Sequence, residues 1–306
     1  MKEVIVMPYT LSPFRYPGGK SQLYPFVKHL LEINKIHGTY IETFAGGSAI
    51  GLKLLFEQDI DQIVINDLDP SIFSVWEAIL NHPDYLIQRI KSVPFDYYDD
   101  GQVDSNIAYW QKEHAIYFEK KGNAHSLSGA FATLFLNRTN RSGIITGGPL
   151  GGWSQKNTKI SARFNKKTLI GKIMAIHDRR DSIAISNKDA LALIPKIPQQ
   201  FDAQNTFIFF DPPYLDQGSN LYYSSLSQND HQTLAKEILS LSSFKWIVTY
   251  DHKSLIQNLY KSASGKYEYK LNYSANTKNR GKAPEFLFSS PVTKMESKAK
   301  TVLSAI

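Results

Sequence analysis

Asp211-Pro212-Pro213-Tyr214 places a carboxylate, two prolines and an aromatic ring directly after an apolar run. Proline fixes its own backbone and has no N–H group, so such a loop presents oxygen acceptors and few donors. The Asp211 carboxylate and the Pro212 carbonyl could hold both hydrogens of an exocyclic amine on a planar ring, and Tyr214 could stack on that ring. An ordinary proline turn, with Tyr214 in the core, is the alternative interpretation.

Two further loops could bind a ligand that contains a nucleoside. Phe44-Ala45-Gly46-Gly47 is a glycine turn without the spaced glycines that cradle a pyrophosphate, which disfavours NAD and FAD. Asp67 follows about twenty residues later, where an acidic side chain could accept ribose hydroxyls. Near the N-terminus, the Pro-Gly-Gly turn between Tyr16 and Lys20 could pack on a ring and pair with a carboxylate. A purely structural turn remains open for both loops.

A parallel sheet would bring these loops together. Apolar segments predict strands at 40–44, 63–65, 206–210 and 245–249, and helices at 49–56, with Ser48 as N-cap, and at 71–80. Ligands of an open parallel sheet bind beyond the carboxyl ends of the strands, and all the loops that follow these strands fall there. The pattern therefore predicts an α/β fold with a Rossmann-like sheet.

Residues 81–180 differ in character from the segments on either side. They combine mixed helical patterns and aromatic residues with a stretch rich in glycine and arginine at 137–153. We interpret them as an inserted, mainly helical subdomain. The catalytic domain would then consist of residues 1–80 and 181–306.

The composition limits the chemistry. The 306 residues carry 35 Lys and Arg against 28 Asp and Glu, and the net charge of +7 favours a polyanionic partner without establishing one. The chain has no cysteine, which excludes disulfides, thiolate zinc sites and the cysteine adduct that methylation of cytosine C5 requires. No signal peptide and no apolar stretch of about 18 residues is present, so we expect a cytoplasmic protein without membrane contact.

Six segments, taken in order, resemble the Dam-type DNA adenine-N6 methyltransferases. They are residues 15–20, 42–48, 66–69, 187–189, 209–214 and 278–282, and the resemblance extends from about residue 12 to 290. It implies a direct methyl transfer from S-adenosyl-L-methionine, without a metal, to N6 of an adenine flipped out of double-stranded DNA. It also implies a monomer of bacterial or phage type, associated with the nucleoid and paired with a cognate restriction endonuclease.

The resemblance further implies roles for individual residues. At the cofactor it places Tyr16 and Lys20 at the entrance, Phe44, Ala45, Gly46 and Gly47 under the methionine part, Asp67 on the ribose, Asp189 near the adenine ring, and Asp211. At the target base it places Asp211, Pro212, Pro213 and Tyr214, with Asp211 as an acceptor that orients the amine. In contact with DNA it places Arg15, Arg138, Asn140 and Arg141, with Lys278, Arg280 and Lys282 as phosphate contacts or a solvated basic loop.

One segment departs from the family pattern. Residues 135–143 lie where that family carries its DNA-contacting hairpin. GATC-specific members have an aromatic-Asn-Gly stretch there, followed by an arginine, whereas this chain continues into Ile144-Ile145-Thr146. Recognition of GATC is therefore not implied. Methylation of cytosine N4, of RNA or of a protein amide, and a catalytically silent DNA-binding role, remain open alternatives.

Overall fold

The structure is a computed structural model that describes residues 10–15, 20–97, 102–215, 226–273 and 281–306, without the side chains of 271–273 and 281–283. The contacts within the chain define two units. The first comprises the residues up to Gly19 and Pro70–Asp181, and the second comprises Lys20–Asp69 and Ser182–Ile306. The stretch Pro70–Asp181 of the first unit contains the predicted insertion at 81–180, whose role as a separate subdomain stays a prediction.

The helices of the described residues are α1 Tyr24–Asn34, α2 Ala49–Phe56, α3 Pro70–Asn81, α4 Pro83–Ser92, α5 Val103–Lys120, α6 Leu127–Thr139, α7 Lys166–His177, α8 Ala190–Leu193, α9 Ile197–Gln200, α10 Gln228–Ser240 and α11 Ser254–Leu259. The strands of the described residues are β1 Thr39–Glu42, β2 Gln62–Asn66, β3 Ile183–Ser186, β4 Thr206–Phe210, β5 Lys245–Asp251, β6 Gly265–Tyr273, β7 Gly281–Ser289 and β8 Ser304–Ala305.

These strands form one sheet in the second unit, in the order β3-β2-β1-β4-β5-β7-β6-β8. The strands from β3 to β5 pair in parallel, and β7 lies antiparallel between β5 and β6. The strand order reverses between β1 and β4, which opens a crevice beyond the carboxyl ends of the parallel strands. The Rossmann-like sheet that the sequence predicted is confirmed.

The core of this unit lies directly beneath the loop that begins at Asp211. All five residues of β4 are buried. Phe210, its last residue, belongs to a cluster with Trp246 of β5 and with Leu234 and Ile238 of α10. Burying a side chain of this size is worth about 1.5–3 kcal/mol, so the core fixes the point at which the loop starts.

The turn between β1 and α2 differs in one detail from the prediction. Helix α2 covers the predicted residues, but Ser48 makes no side-chain cap hydrogen bond to the first turn. Ser48 does occupy the predicted N-cap position, where its carbonyl accepts the N–H of Leu52 at 3.0 Å, but its backbone is left-handed with φ of 42° and its side chain does not cap the helix. Its hydroxyl lies beside the buried carboxyl of Glu42, at the end of β1.

The described part of the first unit is mainly helical. Helices α3, α4 and α7 pack on one another, and α6 packs between α3 and α5. Helix α6 is the centre of this cluster, because Phe131 and Phe135 are fully buried in it. Two loops, which we name the Arg141 loop (140–149) and the Trp153 loop (150–160), follow α6 in sequence.

Candidate active site

The glycine turn after β1 is tied to Asp67, which follows β2. Gly46 has a φ of 48°, and its N–H donates to Asp67 Oδ2 at 2.7 Å. The N–H of Asp69 donates to the other carboxylate oxygen, Oδ1, at 2.9 Å. Burial, and then the charge of Asp69, raise the pKa of Asp67 to about 7 against these two hydrogen bonds. Asp67 is therefore a half-buried carboxyl that titrates near neutral pH.

Asn66 joins the loops that follow three strands. Its Nδ2 donates to the carbonyls of Thr43 and Lys188, both at 2.9 Å. Its Oδ1 accepts from the hydroxyl of Ser186 at 2.6 Å and from the N–H of Lys188 at 3.0 Å. Asn66 is fully buried, so it holds the carboxyl edge of β1, β2 and β3 in register. The sequence analysis gave this residue no role.

Asp189 lies in the loop after β3, at the same edge of the sheet. It is exposed, and its Oδ1 accepts the N–H of Leu191 at 2.9 Å, which makes it the N-cap of α8. Asn187, two residues earlier, donates to the carbonyls of Asp67 and Leu68 at 2.7 and 2.9 Å. A contact between Asp189 and an adenine ring stays a prediction.

Asp211 stands at the carboxyl end of β4 with 29% of its side chain exposed. The hydroxyl of Thr249, on the adjacent strand β5, donates to Asp211 Oδ1 at 2.8 Å. Lys20 Nζ lies 3.6 Å from the same oxygen. Burial raises the pKa of Asp211, the charge of Lys20 opposes that effect, and the charge of Glu285 adds to it.

A buried carboxylate, Glu285 of β7, organises the side chains behind Asp211. Lys20 Nζ donates to both of its oxygens at 3.0 Å. The Tyr214 hydroxyl donates to its Oε1 at 2.8 Å and also contacts Lys20 Nζ. The hydroxyl of Tyr269, on β6, donates to its Oε2. The side chains of Lys20 and Glu285 are only 5% and 2% exposed, so this cluster sits inside the protein.

The sequence analysis missed Glu285 and Tyr269. Glu285 stands alone among apolar residues in Ala-Pro-Glu-Phe-Leu-Phe, and a charged residue in a buried strand requires a partner of opposite charge. That rule could have flagged Glu285. It could not have named Lys20, which lies 265 residues away along the chain.

The arginines of the first unit that were predicted to contact DNA differ in their exposure and in their hydrogen bonds. Arg141 is exposed. Arg138 donates through Nε and Nη2 to the carbonyl of Arg163, at 3.1 and 2.7 Å. Burial, followed by the charges of Arg15 and Arg163, lowers the pKa of Arg138 to about 10. Arg15 is half-buried, and its backbone pairs with the Asn137 side chain at 2.7 and 2.9 Å.

Asn140 is not available to a base. It is fully buried, and its Oδ1 accepts the indole N–H of Trp110 at 2.7 Å. Its Nδ2 lies within 2.9 Å of three backbone carbonyls of the Arg141 loop, those of Ile144, Ile145 and Gly147. The prediction that Asn140 contacts DNA is therefore wrong, because the loop itself occupies its amide.

Several predicted residues cannot be placed. Tyr16, Lys278 and Arg280 lie outside the described residues, and only the backbone of Lys282 is described, in β7. Within the part of the chain that the structure describes, no group of three or more potential ligands could hold a metal ion. No described helix is long and apolar enough to cross a bilayer.

Comparison with known proteins gives the family. Among curated proteins, the Type II methyltransferase M.MjaIII of Methanocaldococcus jannaschii is 22% identical over 229 residues, which cover 72% of this chain and 75% of that protein. Among solved structures, the rRNA methyltransferase aviRa of Streptomyces viridochromogenes is 12% identical with a TM-score of 0.39, over 91% of this chain and 87% of that one. A family model described as D12 class N6 adenine-specific DNA methyltransferase matches residues 16–275. That match takes in the glycine turn, Asp67 and the Asp-Pro-Pro-Tyr loop, and the chain belongs to the D12 class of N6 adenine-specific DNA methyltransferases.

Proposed function

We propose that this enzyme transfers a methyl group in one direct step from S-adenosyl-L-methionine to N6 of an adenine rotated out of double-stranded DNA. The position of Asp211 carries the proposal. Its carboxylate follows the central strand β4, remains partly exposed, and has one oxygen fixed by Thr249. A carboxylate has about four lone-pair sites, so Asp211 keeps capacity for a donor on the substrate.

The residues at the crevice fit the cofactor. The Gly46 backbone has the positive φ that favours glycine, which allows close approach of a ligand. Asp67 uses two lone pairs on backbone N–H groups, which leaves two for ribose hydroxyls. Phe44, Ala45 and Gly47 would line the methionine part, with Lys20 and Tyr16 nearer the entrance and Asp189 near the adenine ring. When bound, S-adenosylmethionine supplies a methyl group on a positively charged sulfur.

The loop of residues 211–214, which we name the acceptor loop, orients the amine of the adenine. The N6 lone pair of adenine is delocalised into the ring, which makes the amine a poor nucleophile. Asp211 and the Pro212 carbonyl each accept one N6 hydrogen and thereby turn the lone pair toward the methyl group, while Pro213 keeps the loop rigid. The N6–C bond forms as the S–C bond breaks, and the surplus N6 proton passes to Asp211 or water.

Glu285 acts as a positioning residue in this proposal. It binds the Tyr214 hydroxyl, so it fixes the ring on which the extruded adenine stacks. It also binds Lys20, whose ammonium would otherwise have Asp211 as its nearest carboxylate. Glu285 thus leaves more of the Asp211 carboxylate for the substrate amine. The residue lies beyond the stretch that the family model matches.

On the DNA side, we propose that the first unit recognises the target. Arg141 is exposed and suits a base edge or a phosphate, whereas Arg15 and Arg138 are partly buried and suit contacts to the sugar-phosphate backbone of the DNA. Lys278, Arg280 and Lys282 remain proposed phosphate contacts. We further propose a monomeric, cytoplasmic enzyme with its own recognition sequence and a cognate restriction endonuclease, a role in restriction and modification that is consistent with the Type II name of the curated relative.

Methylation of plasmid DNA tests the proposal. Purified protein is incubated with methyl-labelled cofactor and plasmid, the DNA is digested to nucleosides, and an equal mass of RNA serves as the parallel substrate. We expect the label in N6-methyl-2′-deoxyadenosine from DNA, and almost none when Asp211→Ala replaces the parent. Label in N4-methylcytosine, label in RNA alone, or full activity of Asp211→Ala would overturn the proposal.

A further inference from the structure

The segment 120–177 of the first unit has an unusual charge pattern. It contains seven lysines and three arginines and not one Asp or Glu, although the net charge of the whole chain is only +7. Five of these cations, Lys121, Arg141, Lys156, Arg163 and Lys167, are exposed. A stretch of this length without an acidic residue is complementary to a polyanion.

An exposed tryptophan lies within this segment. The side chains of Trp76, Trp110 and Trp246 are 1%, 3% and 1% exposed, whereas Trp153 is 62% exposed. Trp153 packs edge-on against Trp110, with ring centroids 5.6 Å apart and planes at 88°. A single exposed hydrophobic residue is common on protein surfaces, but an aromatic ring that lies among exposed cations is available to stack on a flat, negatively charged ligand.

The Trp153 loop is built to hold this side chain outward. Gly151 has a φ of 86°, and a Cβ there would lie 1.8 Å from the Thr158 carbonyl oxygen, so the chain packs tightly against itself. Gln155 is 1% exposed, has a φ of 50°, and donates to the Leu150 carbonyl at 2.7 Å. It also accepts the N–H of Ile160. The loop closes around Gln155 and leaves Trp153 on the outside.

Trp110 joins this loop to the Arg141 loop. One side of its indole supports Trp153, and its N–H donates to Asn140. Asn140 in turn holds the carbonyls of the Arg141 loop. The exposed ring of Trp153 and the exposed cation of Arg141 are therefore presented by one connected piece of structure.

We propose that Trp153 contacts the DNA substrate by stacking its indole on a base, while Lys156 meets a flanking phosphate and Arg141 contacts the same stretch of DNA. The inference rests on the proposed function, which supplies duplex DNA as the partner. Aromatic side chains and cations together are the usual means of binding exposed bases, because every base has a face on which a ring can stack. Extrusion of the target adenine onto Tyr214 unstacks the duplex at that point and exposes the faces of the bases that remain there.

Tryptophan fluorescence tests this directly, because Trp153 is the exposed member of the four tryptophans. The probe is a duplex oligonucleotide that carries a methylation site mapped by sequencing of methylated plasmid. We expect the DNA to quench the emission and to shield it from acrylamide in the parent, and to do neither in Trp153→Phe. We expect Trp153→Ala to weaken DNA binding by roughly 5- to 150-fold, with an unchanged Kd for the cofactor.

The matched control is Phe118→Ala, an exposed aromatic side chain (42%) in the same unit, which should bind DNA like the parent. If saturating DNA leaves the acrylamide access of Trp153 unchanged while the parent still methylates DNA, the inference is wrong and the proposed function stands. If the parent methylates no DNA, the proposed function itself fails. Shielding that grows with protein concentration in the absence of DNA would show that a second copy covers Trp153, and would equally overturn the inference.

Discussion

The ionisation of Asp67 should control cofactor binding around neutral pH. Burial raises the pKa of this carboxyl to about 7 in the free protein. Ribose hydroxyls donate hydrogen bonds to the ionised form, so bound cofactor favours ionisation and lowers the pKa in the complex. Below pH 7, binding must then release a proton. The affinity should fall by up to about tenfold for each pH unit below the pKa and should level off above it.

At high pH, the loss of cofactor affinity in an Asp67 variant is set by the hydrogen bonds that the ionised carboxylate would accept from the ribose. A hydrogen bond to a charged group is worth about 1.5–3 kcal/mol, which corresponds to roughly 10- to 150-fold in Kd. We expect Asp67→Asn to lose about that much affinity at pH 8, and Asp67→Ala at least as much. Both variants should also lose the pH dependence between pH 5 and 8.

A second carboxyl makes a control necessary. Burial also raises the pKa of Glu42 to about 7, so the pH dependence of the parent cannot by itself identify the titrating group. Glu42 is only 6% exposed and is held by the Gly51 N–H at 3.3 Å. The variant Glu42→Gln should therefore keep the pH dependence that Asp67→Asn loses.

Isothermal titration with S-adenosylmethionine, or with its demethylated product, measures these quantities. Titrations in two buffers with different ionisation enthalpies count the protons that are released on binding. A parent Kd that is constant from pH 5 to 8, or an Asp67→Asn variant that retains the parent's proton release, would refute the assignment of Asp67 to the ribose.

Other perturbations test the acceptor loop and the DNA side. Asp211→Ala should abolish nearly all methyl transfer with little change in cofactor Kd, and a kcat within a few-fold of the parent would contradict the acceptor role. Glu285→Gln removes a negative charge that raises the pKa of Asp211, so the loss of activity on the acid side should move to lower pH in a pH–kcat profile; an unmoved limb would argue against this coupling. Tyr214→Phe should lower kcat because the ring loses its hydrogen bond to Glu285, and the activation free energy should rise by about 1.5–3 kcal/mol at most. Single-turnover kinetics that match the parent would show that this hydrogen bond does not position the ring. Arg141→Ala should relax one position of the recognised sequence by about 1–3 kcal/mol if the arginine reads a guanine, and methylation-site sequencing that returns the parent motif throughout would rule out that contact.

The sequence predicted the framework of the site well, for a local reason. Strand β4 and helix α2 have the bounds that their apolar runs indicate. Each motif begins where such a run ends, and parallel strands place those ends at one edge of the sheet. Strand β1 stops at Glu42, two residues earlier than predicted, because Thr43 and Phe44 already belong to the glycine turn.

The residues that support the motifs were not predictable in the same way. Asn66 and Glu285 act on partners that are distant in sequence, and neither stands in a periodic pattern that reveals those partners. The Tyr214 hydroxyl illustrates the consequence. The sequence shows no partner for this hydroxyl, whereas in the structure it donates to a buried carboxylate. Long-range polar pairing therefore decides how rigid the acceptor loop is.

For Asn140, the residue type alone led to the prediction of a DNA contact, although the same side chain can also serve a structural role. Asparagine can pair with adenine in the major groove, and the neighbouring arginine made that interpretation attractive. The same amide, however, has two N–H groups and a carbonyl, which is also what a tight loop needs to satisfy its own carbonyls. Trp110 and the Arg141 loop occupy those groups completely within the first unit. If this loop recognises a base, as we propose, the contact comes from its exposed side chains, among which Arg141 is the cation.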